Sequence, residues 1–543
     1  MTSIGRREFL LGAAAGAATV AGGPLAARRA DAAAFGLANS GGFYTVTTGG
    51  GLVFKIRQST GGMTSLNYNG VELQPSGTNE SHVESGIPSP TVTASQSGST
   101  IIVTASTNAW YSGGTLHHYY VAVSGQNTIY MATFVGQGGG GELRWIQYLN
   151  RSVLSNINQP SDVSGGTAIE STDIDLVNGQ TRSKYYSNRQ AMNLTTRGVT
   201  GNGIGAFMHY GNRESSAGGP FFRDIEQQGT SASIELYNYL FSGHNQTESQ
   251  RLGVLYGPYA LALTNGSTPS QPDMSFMYGL GLQGAVAASG RGFVTGKAMG
   301  VTAGRAAVVG FANGAAQYWA TADPSTGNFS SPAMKPGTYT QTLYQDELNV
   351  ATRTVTVTAG ATTSGQNITS GWTTPAALWR IGAWTGAPTG FKNWNNLTWM
   401  HPSDSRMSGW GPSTYTVGSS QPGDFPAYQW KDVNNPTTVR FTLSSGQLAA
   451  RTVRIGISAA YAGGRPQITV NGWTSPAPSP SSQPSSRSLT IGSYRGNNAL
   501  YTFNVPASAF VAGTNTMTIS VISGSSGSRF LSPGYSYDCV EMF

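Results

Sequence analysis

Short alternations of apolar and polar residues recur along most of this chain. Clear examples are the runs at residues 42–48, 101–105, 119–123 and 128–133, with Gly, Asn or Ser residues between them. A period of two sends successive side chains to opposite faces of a strand, and Gly, Asn and Ser are typical of the turns between strands. Helical periodicity is scarce. The pattern therefore predicts an all-β protein built from sandwiches or barrels.

The same pattern divides the chain into three predicted units. The first, over residues 33–285, is a large β-sandwich that contains all the candidate chemistry. The second, over residues 286–371, contains a Pro-Gly-Thr-Tyr-Thr turn and strand that is typical of a small fibronectin-III-like sandwich. The third, over residues 372–543, contains eight of the eleven tryptophans. That density favours a carbohydrate-binding-like jelly roll, although rings that fill a core are the alternative.

Residues 1–32 have the pattern of an export signal. Two arginines, Arg6 and Arg7, precede an apolar run rich in Ala and Gly, and Ala-Asp-Ala at 30–32 fits a cleavage site. The run is too short for a membrane span. We expect a twin-arginine signal peptide and a secreted, extracellular protein; a plain N-terminus that carries two arginines is the alternative. The single cysteine, Cys539, rules out an intramolecular disulfide framework.

The charge of the chain favours an anionic partner. The formal net charge is +7, of which residues 1–32 contribute +2 through four arginines and two acidic residues, which leaves +5. Charged residues make up only 10% of the chain, without the Lys/Arg runs of nucleic-acid binders. We therefore predict an acidic polysaccharide, and no nucleic acid, as partner. We also expect no membrane association and a monomer.

Lys184 is a candidate general base. It lies in a Tyr-rich, strand-like run at residues 181–187. A free lysine is protonated at neutral pH, so such a base requires a pKa lowered by burial or by a nearby positive charge. Arg182 would share the face of Lys184 on a strand. The alternative is a surface or ion-paired lysine, which is the usual role of this residue type.

His244 is the candidate partner of this lysine. It follows Gly243 in a turn that closes a β-like run containing Tyr237 and Tyr239. An imidazole can give or take a proton near neutral pH, and a structural hydrogen bond at the turn is the alternative. The two tyrosines alternate across one residue, so they face one side of a strand. There they line a sugar groove or fill a core.

Arg144 is the best candidate to bind a carboxylate, because a guanidinium matches a carboxylate bidentately. An ion pair with Glu142 is the alternative. His117 and His118 point to opposite faces of a strand, and no zinc-type spacing occurs. A lysine, a histidine and tyrosines without a paired-carboxylate motif favour removal of a carbon-bound proton over hydrolysis.

Several blocks of this chain resemble the rhamnogalacturonan lyases of the fungal three-domain type. The resemblance covers nearly the whole chain after residues 1–32, and its blocks lie at residues 141–149, 181–187, 213–225, 236–248 and 379–391. It implies an N-terminal supersandwich followed by the fibronectin-III-like sandwich and the jelly roll. It also implies a polysaccharide lyase.

The resemblance also implies roles for individual residues. Lys184 occupies the position of the proton-abstracting lysine, and His244 matches the general acid, although the residues alone leave the two roles interchangeable. Tyr237 and Tyr239 match groove residues, and Arg144 matches a residue that binds the uronate carboxylate.

One position departs from the family pattern. The family often carries a second arginine four residues after Arg144, where this chain has Tyr148. Neutralisation of the substrate carboxylate is therefore expected to depend more on Arg144, Lys184 or a further cation.

The implied reaction is cleavage of the α-1,4 rhamnose–galacturonate bond of rhamnogalacturonan I by β-elimination, which leaves a 4,5-unsaturated uronate. No cofactor is expected for catalysis, and a structural calcium near residues 537–541 is left open. Two alternatives remain. One is a hydrolase of the same polymer that uses two carboxylates from Asp173, Asp175, Asp224 and Glu235. The other is a non-catalytic pectin-binding protein.

Overall fold

The protein is an all-β molecule. The computed structural model describes residues 34–77, 80–398, 400–484, 487, 490–525 and 527–543. The predicted signal peptide, residues 1–32, lies outside these ranges. Within them the chain forms strands and short 3-10 helices, which confirms the predicted fold class. No helix in the described ranges is long and apolar enough to cross a membrane.

The first body of the molecule contains strands β1 to β19. Their bounds are β1 (Gly36–Ser40), β2 (Phe43–Thr47), β3 (Leu52–Arg57), β4 (Met63–Tyr68), β5 (Val71–Glu72), β6 (His82–Val83), β7 (Thr91–Ser97), β8 (Thr100–Trp110), β9 (Gly114–Val123), β10 (Thr128–Val135), β11 (Leu143–Asn150), β12 (Thr167–Glu170), β13 (Ile174–Val177), β14 (Gln180–Arg182), β15 (Thr196–Gly201), β16 (Ile204–His209), β17 (Gln227–Gly229), β18 (Ser233–Phe241) and β19 (Val254–Thr264).

These strands form four antiparallel sheets. Their orders are β1-β2-β3-β4-β5, β15-β16-β19-β10-β9-β8-β7, β17-β18-β11-β6 and β12-β13-β14. The inward side chains of the three larger sheets share one core, which includes Phe54, Tyr120, Trp145 and Leu236. The alternation seen in the sequence produces this arrangement, because every second residue of a strand faces the core. His118 of β9 lies in this core, unexposed and stacked 5.0 Å from the Trp145 ring.

The middle sandwich contains strands β20 to β27. Their bounds are β20 (Phe293–Met299), β21 (Ala307–Ala312), β22 (Gln317–Thr321), β23 (Asn328–Ser330), β24 (Gly337–Gln345), β25 (Leu348–Val357), β26 (Thr362–Thr363) and β27 (Ile368–Thr369). One sheet has the order β23-β20-β26, with β27 also paired to β20, and the other has the order β22-β21-β24-β25. Val309, Phe311 and Tyr339 fill the core between them.

The C-terminal sandwich contains strands β28 to β37. Their bounds are β28 (Trp379–Gly382), β29 (Thr414–Thr416), β30 (Tyr428–Trp430), β31 (Thr437–Leu443), β32 (Arg451–Tyr461), β33 (Arg465–Val470), β34 (Trp473–Thr474), β35 (Ala499–Val505), β36 (Gly513–Ile522) and β37 (Gly534–Met542). Its sheets are β28-β37-β32-β35, with β30 also paired to β37, and β29-β31-β36-β33-β34.

Most tryptophans of the C-terminal sandwich are core residues. Four are at most 8% exposed: Trp379, Trp384, Trp410 and Trp430. Three are partly buried against the cores: Trp372, Trp394 and Trp473. Trp399 lies outside the described residues. These positions favour the core-filling alternative for the described rings.

Within the described ranges, the helices are all of the 3-10 type and connect strands. They are Gln159–Ser161, Lys184–Ser187, Ala191–Asn193, Ser275–Gly279, Ala288–Gly290, Trp394–Asn396, Pro422–Asp424, Ser445–Gln447, Ala507–Ala509 and Arg529–Leu531. Only Lys184–Ser187 carries a candidate site residue, so the site depends mainly on strands and on the loops that follow them.

Candidate active site

The candidate residues meet on the outer face of the sheet β17-β18-β11-β6. Alternation along β11 sends Trp145 into the main core and Arg144 to the outer face. On β18, Tyr239 lies opposite Arg144 and Tyr237 lies opposite Ile146. The two tyrosine rings are 5.7 Å apart between centroids, so they share one face as predicted.

An apolar layer covers this face. Its members are Ile146, Ile174, Tyr185, Tyr186, Ile225, Tyr237, Tyr239 and Ile491. The charged side chains at its edge remain 20 to 28% exposed: Glu142, Arg144, Lys184 and His244. The site therefore has a buried aromatic floor and a rim of charged groups that a ligand can reach.

Lys184 begins a 3-10 helix, which corrects the strand-like prediction for residues 181–187. Strand β14 ends at Arg182, and Ser183 Oγ accepts a hydrogen bond of 3.2 Å from the Tyr185 amide. Such a local bond from side chain to backbone competes with strand pairing. The Arg182 guanidinium does not follow Lys184 into the site, because it donates to the Gln159 carbonyl at 2.7 Å.

Lys184 and His244 approach the same tyrosine ring. The Lys184 Nζ lies 5.5 Å from the centre of the Tyr185 ring, and the His244 ring lies edge-on to that ring at 5.5 Å. The Lys184 Nζ is also 3.3 Å from Asp173 Oδ1. Burial alone would raise the pKa of Asp173, but the cations of Lys184 and Arg487 bring it below its usual value. The amine and the imidazole thus lie on one side of the first body.

His244 is held by a turn and two carboxylates. Gly243 adopts a φ of +72°, and the His244 amide donates to Ser242 Oγ at 2.8 Å. The ring places Nε2 at 3.1 Å from Glu142 Oε1 and Nδ1 at 3.9 Å from Asp224 Oδ1. Burial would lower the pKa of His244, but Asp224 and Glu142 raise it to about 9. The imidazole therefore carries its second proton at neutral pH.

Arg144 contacts two carboxylates and a phenol. Its Nη1 donates to Glu142 and, at 2.7 Å, to the Tyr239 hydroxyl, while Nε lies 3.6 Å from Glu84 Oε2. The ion pair with Glu142, the alternative raised by the sequence, is therefore present. Because Glu142 also binds His244, this carboxylate connects Arg144 to the imidazole.

Tyr237 and Tyr239 support the site from below. Their exposed fractions are 6% and 2%, so their rings are packed in the floor. The Tyr239 hydroxyl accepts from Arg144, and the Tyr237 hydroxyl bonds to Glu235 and lies 3.1 Å from Gln228 Oε1. Contact of these rings with a sugar stays a prediction.

Tyr148 occupies the outer face of β11 directly opposite Glu235 on β18. Its ring lies 5.9 Å from that of His82. Burial raises the pKa of Glu235, against the lowering effect of Lys184 and Arg144. The position where the resembling family often has an arginine therefore holds a neutral ring beside a buried carboxyl group.

Four further residues belong to this site. Asp173 and Asp224 were considered from the sequence only as carboxylates for hydrolysis, whereas each of them lies beside a predicted catalytic cation. Tyr185 directly follows Lys184, so its place in the site could have been inferred from the sequence. Arg487 lies 314 residues from its partner Asp173. No local signal indicates that contact, because it depends on how two bodies of the molecule pack.

The segment at residues 537–541, where a calcium site was left open, has its carboxylates paired with protein donors. Asp538 Oδ1 accepts from the amides of Thr385 and Gly386, each at 2.9 Å, and Glu541 accepts from Arg380 at 2.7 Å. Burial raises the pKa of Asp538 to about 7. Among the described residues, no group of three or more His, Cys, Asp or Glu side chains is arranged to hold a metal ion.

Comparison with known proteins gives consistent matches along the chain. Residues 35–284 match the N-terminal domain described as rhamnogalacturonan lyase B. Residues 290–365 match domain II of polysaccharide lyase family 4, a fibronectin-type model, and residues 377–542 match its domain III, a carbohydrate-binding-module-like model. The predicted fibronectin-III-like and carbohydrate-binding-like folds are thereby confirmed.

Similar proteins match over nearly their whole length. The "Probable rhamnogalacturonate lyase A" of Aspergillus fumigatus is 48% identical to this chain, over 94% of the chain and 96% of its own length. The "Rhamnogalacturonate lyase A" of Emericella nidulans is 48% identical with the same coverage. That of Aspergillus aculeatus is 47% identical over 94% of this chain and 96% of its own length.

Proposed function

This chain belongs to the rhamnogalacturonate lyases of polysaccharide lyase family 4, and from that premise we propose that it is an endolyase of the rhamnogalacturonan I backbone. It cleaves the α-1,4 bond from rhamnose to C4 of galacturonate by β-elimination. The new end is a 4,5-unsaturated uronate. The substrate is an acidic pectic polysaccharide, which agrees with the positive charge of the chain.

One observation supports this reaction above all others. The amine of Lys184 and the imidazole of His244 approach one ring, that of Tyr185, and Glu142 connects His244 to Arg144. A base, an acid and a guanidinium therefore border one partly exposed site. These are the three groups that elimination from a uronate requires.

The two proton-transfer roles follow from the surroundings of His244. The carboxylates of Glu142 and Asp224 keep the ring protonated, since they raise its pKa to about 9. A protonated imidazole is suited to act as an acid. We therefore assign proton donation to His244 and proton abstraction to Lys184, in its neutral form.

In the proposed reaction, Lys184 Nζ takes the proton from C5 of galacturonate. The electron pair of that C–H bond forms the C4–C5 double bond as the bond between C4 and the glycosidic oxygen breaks. His244 gives a proton to this oxygen, which leaves as the hydroxyl of rhamnose. Proton transfers of this kind contribute roughly 10²- to 10⁴-fold each.

The carboxylate of the substrate needs a cation during this step, because negative charge develops on the carbon beside it. Arg144 is one-fifth exposed at the rim of the site and can pair bidentately with a carboxylate. Stabilisation of charge that forms in the transition state is usually the largest contribution to catalysis. Arg144 therefore supplies the main electrostatic contribution.

The proposed steps use only side chains of this protein. We propose that no cofactor is required, so treatment with a chelator should leave the rate unchanged. A rate that falls with EDTA and returns with a divalent cation would contradict this proposal.

The direct test is incubation with debranched rhamnogalacturonan while the ultraviolet absorbance of the new conjugated double bond is followed. A rise in absorbance with unsaturated oligosaccharides supports the proposal. Saturated products with new reducing ends would instead identify a hydrolase. Binding to pectin without any product would identify a non-catalytic binding protein.

We also propose that the protein is exported by the twin-arginine route and acts outside the cell. The proposal is supported by the pattern of residues 1–32. Mass spectrometry of the mature protein from the culture medium should show an N-terminus near Ala33. A mature protein that starts at Met1 and stays with the cells would contradict it.

A further inference from the structure

The segment that carries Lys184 is held on both sides by the C-terminal sandwich. Before Lys184, the amide of Thr181 donates to Asp404 Oδ2 at 2.8 Å. After it, the Asn188 side-chain amide donates to the Gly492 carbonyl at 3.0 Å. Both acceptors belong to the C-terminal sandwich, so the position of Lys184 depends on contacts between two bodies of the molecule.

Arg487 extends this contact into the site itself. Its Nη1 donates to Glu170 Oε1 at 2.6 Å, and its Nη2 donates to Asp173 Oδ2 at 2.5 Å. The other oxygen of Asp173 lies 3.3 Å from Lys184 Nζ. One carboxylate is therefore shared between a guanidinium of the C-terminal sandwich and the amine of the proposed base.

This shared carboxylate bears on the proposed role of Lys184 as a base. A carboxylate next to an amine favours the charged ammonium form, whereas a proton-abstracting lysine must be neutral. A guanidinium on the same carboxylate offsets its negative charge and offers it a stronger, charge-assisted hydrogen bond. Arg487 therefore competes with Lys184 for the same carboxylate, that of Asp173.

Other charged and polar groups near Lys184 come from the first body. Glu142 and Glu235 act electrostatically on Lys184 from the sheet, and Tyr185 faces the amine with its ring, whose other neighbour is His244. Of these groups, only Tyr185 is also acted on electrostatically by Arg487. The hydrogen-bonded and ion-paired path from Arg487 to Lys184 runs through Asp173.

We propose, on the basis of the function proposed above, that Arg487 is a positioning residue of the lyase reaction, which holds Asp173 so that Lys184 can serve as the base. The C-terminal sandwich is thus a part of the catalytic site as well as a domain of carbohydrate-binding type. The site is complete only when this sandwich is docked on the first body.

The test compares Arg487→Gln, Arg487→Lys and a control, Arg380→Gln, in the full-length protein. Arg380 also shares a carboxylate, Glu541, with a second cation, Arg454, but within the C-terminal sandwich. In Arg487→Gln, the acidic limb of the profile of kcat/KM against pH should move to higher pH by about one unit. At pH values below this limb, kcat/KM should therefore fall on the order of tenfold. Arg487→Lys should restore most of the profile, and Arg380→Gln should match the unaltered enzyme.

A second measurement needs no activity. The rate at which an amine-acylating reagent modifies Lys184, followed by peptide mass spectrometry, reports the neutral amine as a function of pH. This profile should move in the same direction in Arg487→Gln. If it moves while the unaltered protein forms no unsaturated product, the proposed function is wrong and the role of Arg487 toward Lys184 stands.

Two outcomes would overturn the inference. One is an Arg487→Gln protein with an unchanged melting temperature whose pH profile and acylation profile both stay in place. The other is an equal shift in Arg380→Gln, which would show that loss of any such ion pair has the same effect.

Discussion

Two carboxylates, each bound to two cations, organise the individual residues of this site. Asp173 lies between Lys184 and Arg487, and Glu142 lies between His244 and Arg144. Ion pairs with a partly exposed cation contribute little to stability. Their main effect here is therefore on the chemistry of the site. Glu142 keeps the proton on His244, and Asp173 joins Lys184 to a guanidinium of the C-terminal sandwich.

The proposed base and acid give the first prediction. Lys184→Ala and His244→Ala should each lower kcat by roughly 10²- to 10⁴-fold, because each removes one proton transfer. The melting temperature should stay within a few degrees of that of the unaltered protein. Initial rates of ultraviolet absorbance measure this effect. Lys55→Ala, at an exposed lysine of β3, is the control and should retain full activity.

The pH dependence of His244 gives the second prediction. Asp224 raises the pKa of His244, after the opposing effect of burial, so Asp224→Asn should lower it from about 9. An acid must be protonated, so the alkaline limb of kcat/KM should move down by about one pH unit or more. Asp323→Asn, at an exposed carboxylate of the middle sandwich, should leave the limb in place.

The same variant separates the two possible roles. If His244 were the base, its lower pKa in Asp224→Asn would extend activity toward acidic pH. An alkaline limb that stays in place, with a changed acidic limb, would therefore reverse the assignment of acid and base. Profiles of kcat/KM against pH over both limbs decide between them.

Sequence patterns identify some residues of this site and miss others. Resemblance marks Lys184, His244 and Arg144, because they lie in recognisable local blocks. Glu142 and Asp224, which raise the pKa of His244, lie in these blocks as well. Asp173 and Arg487, which adjoin Lys184, belong to no such block. Their contact depends on the packing of the first body against the C-terminal sandwich, which no local pattern indicates.

At the scale of elements, the antiparallel pair of β11 and β18 determines which side chains meet. Its register places Arg144 against Tyr239 and Tyr148 against Glu235. A shift by one residue would send all of them to the core face and the apolar residues to the outer face. Burial of the inner face of the pair therefore stabilises this register. The site is therefore specified by the same alternation that builds the core.

This alternation also explains where prediction from the sequence works. Strands β9, β10 and β18 follow directly from period-two runs. The run at residues 181–187 looks equally strand-like, but Ser183 caps a 3-10 helix there. Local hydrogen bonds of Ser183 and Ser187 with the backbone favour the helix, and residue spacing carries little information about such bonds.

The turn that carries His244 gives the third prediction. Gly243 has a φ of +72°, and a Cβ there would lie 2.2 Å from the Gly141 carbonyl oxygen. Gly243→Ala should therefore displace the turn, lower kcat/KM at least roughly tenfold and reduce the free energy of unfolding by more than about 1 kcal/mol. Ultraviolet rates and denaturant unfolding measure both effects.

Gly203→Ala is a matched control for this turn. Gly203 has the same φ of +72°, but no atom lies within 4 Å of its added Cβ. This variant carries the backbone strain without the clash, so it should lose stability and keep its activity. Equal losses of activity in the two variants would show that the close approach to Gly141 does not position His244.

At the scale of the whole molecule, the first body has polar contacts with both later sandwiches. Asp404 and Arg487 join it to the C-terminal sandwich, and Glu214 joins it to the middle sandwich. The three-part architecture could be expected from the sequence, but these contacts could not. Composition and periodicity describe how a body folds, whereas a contact between bodies depends on a few polar groups in loops.

The contact with the middle sandwich gives the last prediction. Glu214 is 1% exposed and binds Arg291 at 2.7 Å and Lys335 at 3.3 Å. Glu214→Ala would leave Arg291 buried without its partner, at a cost of roughly 3 to 5 kcal/mol. Calorimetry should show a clear fall in melting temperature. Asp346→Asn removes a partly exposed pair with Arg305 in the same sandwich and should cost about 1 kcal/mol or less.

The stabilisation that Glu214 contributes to this contact should be lost at acidic pH. Burial would raise the pKa of Glu214, but Arg291 and Lys335 bring it below its usual value. A lowered pKa means that the stabilisation is present above the pKa of the unfolded chain, about 4.3, and is lost as the pH falls through the folded value. The melting temperatures of the unaltered protein and Glu214→Ala should therefore converge in strong acid. A difference that stays constant from pH 7 to pH 3 would show that packing of the side chain, and not its charge, joins the two bodies.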